Sequence, residues 1–567
     1  MGVVNILLKF CTIAILIEYG FGYSLGISNS LHCAVRKQIS PCTCLVQEPS
    51  NRRSTKSIIT VTCEGMVNFQ QVVTALTKKF DIDVDISLKI SHSVLEDLPQ
   101  LSFEKLNLTI HILKLNFDNL RSLPVSVFSG LSKTESFSLA DNNIPMIPEA
   151  ILNTMPKIKV LDLSRGHILN VSTTNFQALE SMHTLVINEN NIELLEKDCF
   201  PKTLRKLSLT FNKIKHLNGT LRGLSYLQWL LLNDNEIEDL EGQLPQVNPN
   251  LKLILLNLAN NKLLKLPQEL RNFLHLENLY LEYNKLESLD RALSKSKHLK
   301  SLVLSANNIS KLYSDDFLEL EYLEELQFGE NNIATLNNCL LPLKSLKHLN
   351  LSHNNIQEFT LQDIRGLTKL NLVDLSNNKI HVLSGRMENL VELETRVYEL
   401  RLDYNKLQTL SGSLMGFSSL HRLNLSNNYI DRILPDDLIG LDDLQILDIS
   451  HNNLTTLEET SKTVLPSLEE LIASYNSVTR LEKDFYGLPR LCWADLSHNQ
   501  ITYISKSLVD NTQCKLYEVP SILRIYLHGN PSLCEPEVVA NIIDLESKNN
   551  TKIHGRNECP PQEKGRH

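Results

Sequence analysis

The sequence lacks any long apolar run beyond its first residues. An apolar stretch extends from about Ile6 to Ile17 and is followed by two glycines. This pattern predicts a secretory signal peptide at residues 1–22, cut near Tyr23. An uncleaved anchor is the alternative, but the run is shorter than the roughly 20 apolar residues that a membrane span needs. We therefore expect a secreted, extracellular mature chain without a membrane span.

Excess charge of one sign is also absent. The 567 residues include 56 Lys and Arg and 65 Asp and Glu, and the formal net charge of -9 is spread along the chain. Because there is no basic stripe, we predict neither nucleic acid nor an anionic membrane surface as the main partner. The composition is even throughout, so a single extended architecture is expected.

Motifs for catalysis and metal binding are missing as well. The sequence has no H-E-x-x-H, no phosphate-binding Gly-rich loop and no G-x-S-x-G. Ser-His pairs recur, as at Ser352-His353 and Ser450-His451, but they are letters of a repeat and not one oriented triad with an oxyanion pocket. We predict no enzyme, no catalytic residue, no metal site and no cofactor.

What the sequence does contain is one template, LxxLxLxxNxL, repeated along its length. Examples are "LRKLSLTFNKI", "LKHLNLSHNNI" and "LQILDISHNNL". Its asparagine occurs at Asn142, Asn190, Asn212, Asn235, Asn261, Asn284, Asn307, Asn331, Asn354, Asn378, Asn405, Asn428, Asn452, Asn476, Asn499 and Asn530. The phase continues backward through Gly166, Asp118 and Ser93, which replace the asparagine, and gives about 19 candidate units.

This template resembles the leucine-rich repeats of extracellular animal proteins over roughly residues 76–533. The resemblance implies an α/β solenoid, a leucine-rich repeat horseshoe with a concave parallel β-sheet and an irregular or short-helical convex side. The alternation itself predicts a short strand with two leucines inward and the residue between them outward. The asparagine side chain can hydrogen-bond neighbouring backbone, so stacked units would form an asparagine ladder.

Cysteines cluster near both ends of the chain. Cys33, Cys42, Cys44 and Cys63 resemble the N-terminal cap of extracellular leucine-rich repeat proteins, here residues 23–75, which implies two disulfides of open pairing. A metal site is the alternative, but the spacing differs from a zinc C-x-x-C pair and the compartment favours disulfides.

The C-terminal residues 534–567 resemble a partial cap. A helical stretch is expected around Glu537 to Ser547, and the resemblance implies a bridge between Cys534 and Cys559. The chain has only half of the usual four-cysteine pattern at this end.

Four more cysteines lie inside the repeats. Cys199 and Cys339 are six units apart, about 29 Å at the strand spacing, which is too far for a disulfide. We predict that they are buried free thiols. Cys492, interpreted as inward-facing, receives the same prediction. Cys514 lies in the longest unit and is expected to carry either an unusual bridge or a free thiol.

Outward positions between the inward leucines are the variable part of the template. The large apolar residues Trp229, Leu231, Leu255, Tyr280 and Val303 occupy such positions in consecutive strands. Because a solvated sheet face rarely carries so many, we predict that they bind a ligand through aromatic anchors. The alternative is that they cover one another, since single exposed apolar residues are ordinary.

A smaller outward cluster contains Ile446, Ile472 and Trp493, which the extended last unit could equally cover. Between the two clusters the outward face becomes polar, at Asn350, Asp374, Arg401, Asp403, Asn424 and Asp448.

Acceptor sites for N-linked glycans occur at Asn107, Asn170, Asn218, Asn308, Asn350, Asn424, Asn453 and Asn549. Asn350 and Asn424 hold outward positions, where a glycan would obstruct a flat partner and direct recognition toward residues 229–303 or the rim. The alternative interpretation is that N-L-S merely fills the template.

The family resemblance implies recognition of proteins. We predict a non-catalytic protein-binding role in cell adhesion or extracellular signalling through the concave face. The expected partner is an extracellular or cell-surface protein, with self-association as one form. Alternatives are a structural matrix glycoprotein, which the Ser-Gly pairs inside template positions disfavour, innate immune recognition, and a membrane-receptor ectodomain.

Overall fold

The structure is a computed structural model, and it contains two compact units. It describes residues 38–47, 58–384, 396–415, 417–458, 462–516, 519–548 and 550–556. Unit 1 comprises residues 1–230 and 248–251, and unit 2 comprises residues 231–247 and 252–567. The strand Trp229–Leu231 contains the boundary. Each unit is a solenoid of short, mostly parallel strands.

Unit 1 begins with an antiparallel pair and continues as a parallel sheet. Thr43–Gln47 runs antiparallel to Ile58–Glu64, and the helix Phe69–Leu76 follows, capped by Asn68 Oδ1, which accepts from Gln71 N at 2.9 Å. From Ile58–Glu64 onward each strand is parallel to the next. The later strands are Asp85–Ser91, Thr109–Asn116, Ser136–Ser138, Val160–Asp162, Thr184–Val186 and Lys206–Ser208.

Unit 2 contains a longer run of parallel strands. They are Leu255–Asn257, Asn278–Tyr280, Ser301–Val303, Glu325–Gln327, His348–Asn350, Leu372–Asp374, Glu399–Arg401, Arg422–Asn424, Ile446–Asp448, Glu470–Ile472, Trp493–Asp495, Leu523–Tyr526 and Thr551–His554. In each three-residue strand the central residue is buried, as Leu279 and Leu302 are, and these central residues pair with one another along the sheet. The predicted inward and outward alternation is confirmed.

The return segments contain little regular structure. Small two-stranded sheets pair Asn170–Val171 with Leu194–Leu195, Glu358–Thr360 with Val382–Ser384, Arg480–Leu481 with Tyr503–Ile504, and Lys515–Leu516 with Val519–Pro520. The other helices are Glu149–Leu152 and Pro536–Lys548, and 3₁₀ turns span Leu98–Gln100, Phe103–Leu106, Val125–Phe128, Gln268–Asn272, Leu361–Ile364 and Pro435–Asp437.

The predicted asparagine ladder is confirmed, and each asparagine ties successive turns together. Asn452 Nδ2 donates to Leu425 O of the preceding turn at 3.0 Å and to Ile449 O of its own turn at 3.1 Å, while its Oδ1 accepts from Ile430 N at 3.0 Å. Asn452 itself is buried. The ladder therefore satisfies backbone groups that the corner would otherwise leave buried without partners.

The residue before the ladder asparagine has a left-handed backbone. The φ angle is 52° at His451, 54° at Tyr475 and 55° at His498, a conformation that costs a non-glycine residue roughly 1–2 kcal/mol. These side chains stack, with ring centroids 4.2 Å apart in both neighbouring pairs. The ladder hydrogen bonds and this stacking together hold the corner in shape.

The cysteines follow the sequence expectation with one correction. Cys42 is bonded to Cys63, and Cys44 and Cys534 are also disulfide-bonded. Cys33 and Cys559, with which the sequence grouped them, lie outside the described residues. The structure also confirms that Cys199 and Cys339 are buried free thiols.

The prediction that Cys492 is a free thiol is wrong, because Cys492 is bonded to Cys514. Cys492 precedes the strand Trp493–Asp495 and is not one of its inward residues. The long insertion after Asn499 returns onto the preceding turn, where Thr512 Oγ1 donates to Phe485 O at 3.0 Å. This contact brings Cys514 beside Cys492, with their Cα atoms 4.7 Å apart.

Asp118 supplies a prediction about stability, because it replaces a ladder asparagine. Its Oδ1 accepts from Ser93 N at 2.9 Å, but its Oδ2 is buried and accepts no hydrogen bond from the described residues. Burial raises the pKa of Asp118 from 3.8 to about 6, against the lowering effects of Ser93 and His92. The Asp118→Asn variant restores the missing donor, and we expect its free energy of unfolding to be about 1–3 kcal/mol higher at neutral pH.

The direction of this pH dependence follows from the thermodynamic linkage between proton binding and folding. A raised folded-state pKa means that the wild type keeps its full stability only below the unfolded value of 3.8 and loses it as pH rises through about 6. Urea denaturation of both proteins at pH 3.5, 5 and 7.5 should show a gap that widens with pH. A gap independent of pH would contradict this account of Asp118.

A second prediction concerns the Cys492–Cys514 bridge. Its removal by a double Cys→Ser replacement should lower the free energy of unfolding by about 2–4 kcal/mol, because the bridge closes a loop of sequence separation 22. Thermal unfolding under non-reducing conditions measures the loss. The control is Cys199→Ala, which removes a free thiol; an equal loss in both variants would show that the bridge itself adds nothing.

Candidate functional site

The outward residues of unit 2 form two parallel columns on the face of its sheet. The first column contains the first residue of each strand from Leu255 to Trp493, and the third column contains the third residue of each strand from Asn257 to Asp495. Strand register places the third-column residues directly beside one another, as in the pairs Asn257 with Tyr280 and Tyr280 with Val303.

The structure brings together only part of the predicted binding surface. Tyr280 and Val303 are neighbours in the third column and are half-buried, whereas Leu255 lies in the first column beside Asn278. Leu255 and Tyr280 thus lie in different columns, because Leu255 precedes its ladder asparagine by six residues and Tyr280 precedes its own by four. Leu231 is only 6% exposed and offers almost no surface to a partner.

Trp229 belongs to unit 1 and is half-buried. The Nζ of Lys206 on the neighbouring strand lies 5.0 Å from the centroid of its ring, a distance at which an ammonium group is attracted to an indole face. Trp229 therefore presents an aromatic surface with a cation beside it.

The smaller predicted cluster is partly covered. Trp493 remains 39% exposed, and its ring lies 4.4 Å from that of Tyr526, which in turn lies 4.9 Å from His554. The last turn thus covers one side of Trp493, while Ile446 and Ile472 are half-buried on the same sheet.

A depression of about 310 Å³ opens on the polar part of this face. Its lining includes the charged residues Glu399, Arg401, Asp403, Arg422 and Asp448, together with Asn424, Ile446 and Ile472. The sequence showed that the face becomes polar here, but it did not predict a depression. The depression lies between neighbouring strands of unit 2, so it depends on the relative lengths of side chains that are far apart in sequence.

Most turns near the depression share one side-chain pairing. An Asp or Asn in the third column accepts hydrogen bonds from a buried Ser two residues later, which we call the serine position. Asp374 Oδ1 accepts from Ser376 N at 3.0 Å and from Ser376 Oγ at 2.7 Å, and Asp448 makes the same two bonds with Ser450. The pairing satisfies both partners within one turn.

The turn of Asn405 breaks this pairing. It has Arg401 in the third column and Asp403 at the serine position. Arg401 Nε donates to Glu399 Oε1 at 2.6 Å, and its Nη1 lies 3.6 Å from Asp374 Oδ2. Asp403 Oδ1 is buried and accepts no hydrogen bond from the described residues. This substitution was visible in the sequence as "LDYN" where the adjacent turns read "LSNN".

Electrostatics disfavour the charged form of Asp403. Burial raises the pKa of its carboxyl group, and the neighbouring carboxylates Asp374 and Asp448 raise it further, whereas a backbone hydrogen bond and Arg401 lower it. The negative charges around Asp403 are therefore only partly balanced by Arg401.

Glu282 is a second carboxylate at the serine position. Its Oε2 is buried without a hydrogen-bond partner among the described residues. Burial, with a contribution from Asp234, raises the pKa of Glu282 to about 7. Glu282 follows Tyr280 by two residues. An acid with an unpaired buried oxygen therefore lies beside the apolar part of the face, as Asp403 lies beside the depression.

The repeated Ser-His pairs do not form catalytic dyads. Ser450 Oγ donates to Asp448, and the following His451 has a left-handed backbone and stacks on Tyr475. Among the residues that the structure describes, no group of three or more His, Cys, Asp or Glu is arranged to hold a metal ion. Within the same residues, no helix is both long and apolar enough to cross a membrane.

The described glycan acceptor sites fall into two classes. Asn107, Asn170, Asn218, Asn308 and Asn453 are exposed. Asn350 and Asn424, in the third column, are half-buried, and the Oδ1 of each accepts from the serine two residues later. Asn549 lies outside the described residues.

Comparison with known families settles the repeat type. A family model described as "Leucine rich repeat" matches residues 182–237, 297–356, 395–454 and 442–501. The matched residues of this chain are leucine-rich repeats. The predicted family and the predicted solenoid with a parallel sheet are both confirmed.

Several curated leucine-rich repeat proteins are similar to parts of this chain. Chaoptin of Drosophila melanogaster is 29% identical over 189 residues, which are 32% of this chain and 13% of chaoptin. Keratocan of Coturnix japonica is 30% identical over 170 residues, 29% of this chain and 46% of keratocan. The transforming growth factor beta activator LRRC32 of Pongo abelii is 29% identical over 170 residues, 28% of this chain and 25% of LRRC32.

The chain thus spans less than half the length of these relatives. They are extracellular or secreted leucine-rich repeat proteins, and the disulfides of this chain are consistent with the same compartment.

Solved structures share the fold. A leucine-rich repeat protein from Leptospira interrogans has a TM-score of 0.52 and 26% identity, and the match covers 75% of this chain and 96% of that one. The ectodomain of the plant receptor kinase GASSHO1/SCHENGEN3 from Arabidopsis thaliana has a TM-score of 0.53 and 23% identity, covering 88% of this chain and 60% of that one. The second likeness shows the fold alone.

The two classes of acceptor site yield a prediction. We expect glycans at the five exposed asparagines and none at Asn350 or Asn424, because their side chains are half-buried and held by a neighbouring serine. Glycopeptide mass spectrometry of the secreted protein measures occupancy site by site. A sugar on Asn424 would contradict the prediction and would cover the depression.

Proposed function

We propose that this leucine-rich repeat protein is a secreted, non-catalytic binding protein that acts in cell adhesion or extracellular signalling. Its partner is an extracellular or cell-surface protein, and a second copy of the chain is one such partner. The outward face of the sheet, predicted to be concave, provides the binding surface. Residues Trp229, Leu255, Tyr280 and Val303 contribute the apolar part, with Leu231 as a buried support.

The observations that carry this proposal are the half-buried Tyr280 and Val303 of unit 2 and, separately, the half-buried Trp229 of unit 1. Tyr280 and Val303 lie side by side in the third column, and Trp229 retains accessible surface beside Lys206. Aromatic residues that are partly buried before binding lose little side-chain entropy on binding and are typical anchors of protein interfaces.

The comparisons support a protein ligand. The similar protein LRRC32 is described as an activator of transforming growth factor beta. A repeat solenoid presents an extended surface that suits such ligands.

The test compares two double variants of the secreted protein. Trp229→Ser with Tyr280→Ser removes both aromatic anchors from the sheets. Tyr226→Ser with Tyr486→Ser is the control, because it removes two exposed tyrosines outside the sheet strands. Beads coated with each protein are scored for clustering, and binding of each soluble protein to intact cells is measured by flow cytometry.

We expect clustering or cell binding that the anchor variant loses and the control variant retains. Secreted yield and melting temperature should be unchanged in both. Binding that survives in the anchor variant would overturn the assignment of these residues, and a loss of secretion would show that they are structural. If neither assay detects binding by the wild type, the proposed adhesive or signalling role is wrong.

A further inference from the structure

Asp403 lowers the free energy of unfolding of the free protein. A carboxylate oxygen buried without a hydrogen bond costs roughly 1–3 kcal/mol, whereas the serines on either side, Ser376 and Ser426, are buried in ordinary positions of the template. When one repeat replaces the template residue and the new side chain is not satisfied within the fold, the position is typically functional. The turn of Asn405 is therefore one place in unit 2 where a ligand would complete a missing interaction, and it is the one that borders the depression.

The charges around the depression define the kind of ligand. The lining carries three carboxylates, Glu399, Asp403 and Asp448, and two guanidinium groups. Arg401 is already engaged by Glu399 at 2.6 Å and faces Asp374 at 3.6 Å, so it leaves Asp403 Oδ1 without a donor. One oxygen of Asp448 is held by Ser450. The unmet requirement is for a hydrogen-bond donor. With Arg401 and Arg422 set against Glu399, Asp403 and Asp448, the lining keeps one excess negative charge, so a positively charged donor fits it.

The apolar part of the lining further restricts the class of ligand that fits the depression. Ile446 and Ile472 border the depression and are half-buried in the first and third columns. Lys and Arg side chains combine an apolar stem with a charged head, so they bury methylene groups against such residues while the head reaches a carboxylate. A metal ion would use none of this apolar surface.

We propose that the depression binds a lysine or arginine side chain of a protein partner, with the charged head on Asp403 and Asp448 and the stem against Ile446 and Ile472. This assignment rests on the proposed role as a protein-binding protein and adds a specificity site to it. The apolar anchors would supply affinity, while the depression would select partners that display a basic residue.

The experiment uses three peptides that differ in one side chain: Gly-Gly-Lys-Gly-Gly, Gly-Gly-Arg-Gly-Gly and Gly-Gly-norleucine-Gly-Gly, each with blocked termini. Each is titrated to millimolar concentration into the full secreted protein labelled at isoleucine methyl groups. The methyl resonances of Ile446 and Ile472 report contact in the depression. Norleucine matches the stem of lysine and lacks the charge.

We expect the lysine or arginine peptide to shift both resonances, and the norleucine peptide to leave them unchanged. Asp403→Asn, which keeps the shape and removes the charge, should weaken the apparent affinity about tenfold or more, as expected for loss of a charged hydrogen bond. Asp162→Asn is the matched control: Asp162 is a carboxylate of unit 1 that pairs with Ser164 in the usual way. It should leave the shifts intact.

A second variant separates binding from folding. Asp403→Ser restores the residue of the adjacent turns, so we expect it to melt at a higher temperature than the wild type and yet to lose the peptide shifts. Its stability gain should be largest at neutral pH and shrink in acid, because burial raises the pKa of Asp403 in the folded state and protonation removes the penalty. Loss of binding in a more stable protein cannot be caused by misfolding.

The outcomes distinguish this site from the broader function. Equal shifts with norleucine, or shifts that survive Asp403→Asn, would overturn the proposal of a basic ligand. Absence of any shift with all three peptides would overturn it as well, even if beads still cluster through Trp229 and Tyr280. Charge-dependent shifts together with failure of every adhesion assay would uphold the depression as a site for basic side chains and reject the adhesive role.

Discussion

The asparagine ladder is the interaction on which the rest of the structure depends. Each short strand has only three residues, too few to hold a turn of chain in place by sheet hydrogen bonds alone. Asn452 adds bonds to Leu425 O, Ile449 O and Ile430 N, so one side chain joins two turns at the corner. Because the corner is fixed, the inward leucines of successive turns meet in register and the outward residues form columns. The positions of the residues in any site on the sheet face therefore depend on the buried side-chain amides of the ladder asparagines.

The sequence predicted the parts of the structure that repeat. Phase alone located the ladder, the inward leucines and the polar change near Arg401, because a period held over many turns cannot arise by chance. It failed where contacts join residues at irregular spacing. The bridge between Cys492 and Cys514 depends on the path of an insertion, and the division of Leu255 and Tyr280 between two columns is visible only in the strand register. The depression was not predictable, although Asp403 stood out as an acid among serines.

Comparison with the template also distinguishes residues that stabilise the fold from residues that do not. A serine or an asparagine at its template position is satisfied within the array, and a replacement there must be satisfied elsewhere. Asp118 is a buried acid and Glu282 and Asp403 are half-buried acids, and each has a buried oxygen without a partner among the described residues. Asp118 is in the ladder itself, where it affects stability, whereas Glu282 and Asp403 border the outward face, where a ligand can reach.

The ladder bonds determine how unit 2 would respond to mechanical load. The asparagine bonds to the preceding turn, such as Asn452 Nδ2 to Leu425 O, join turns that are neighbours in the stack. A force applied along the stack therefore loads the corners in series, and the weakest corner opens first while the others stay closed. Each opening would release one turn, such as the 24 residues from Asn428 to Asn452, and would dissipate energy in small steps. Under such tension unit 2 would extend gradually before it lost its whole fold.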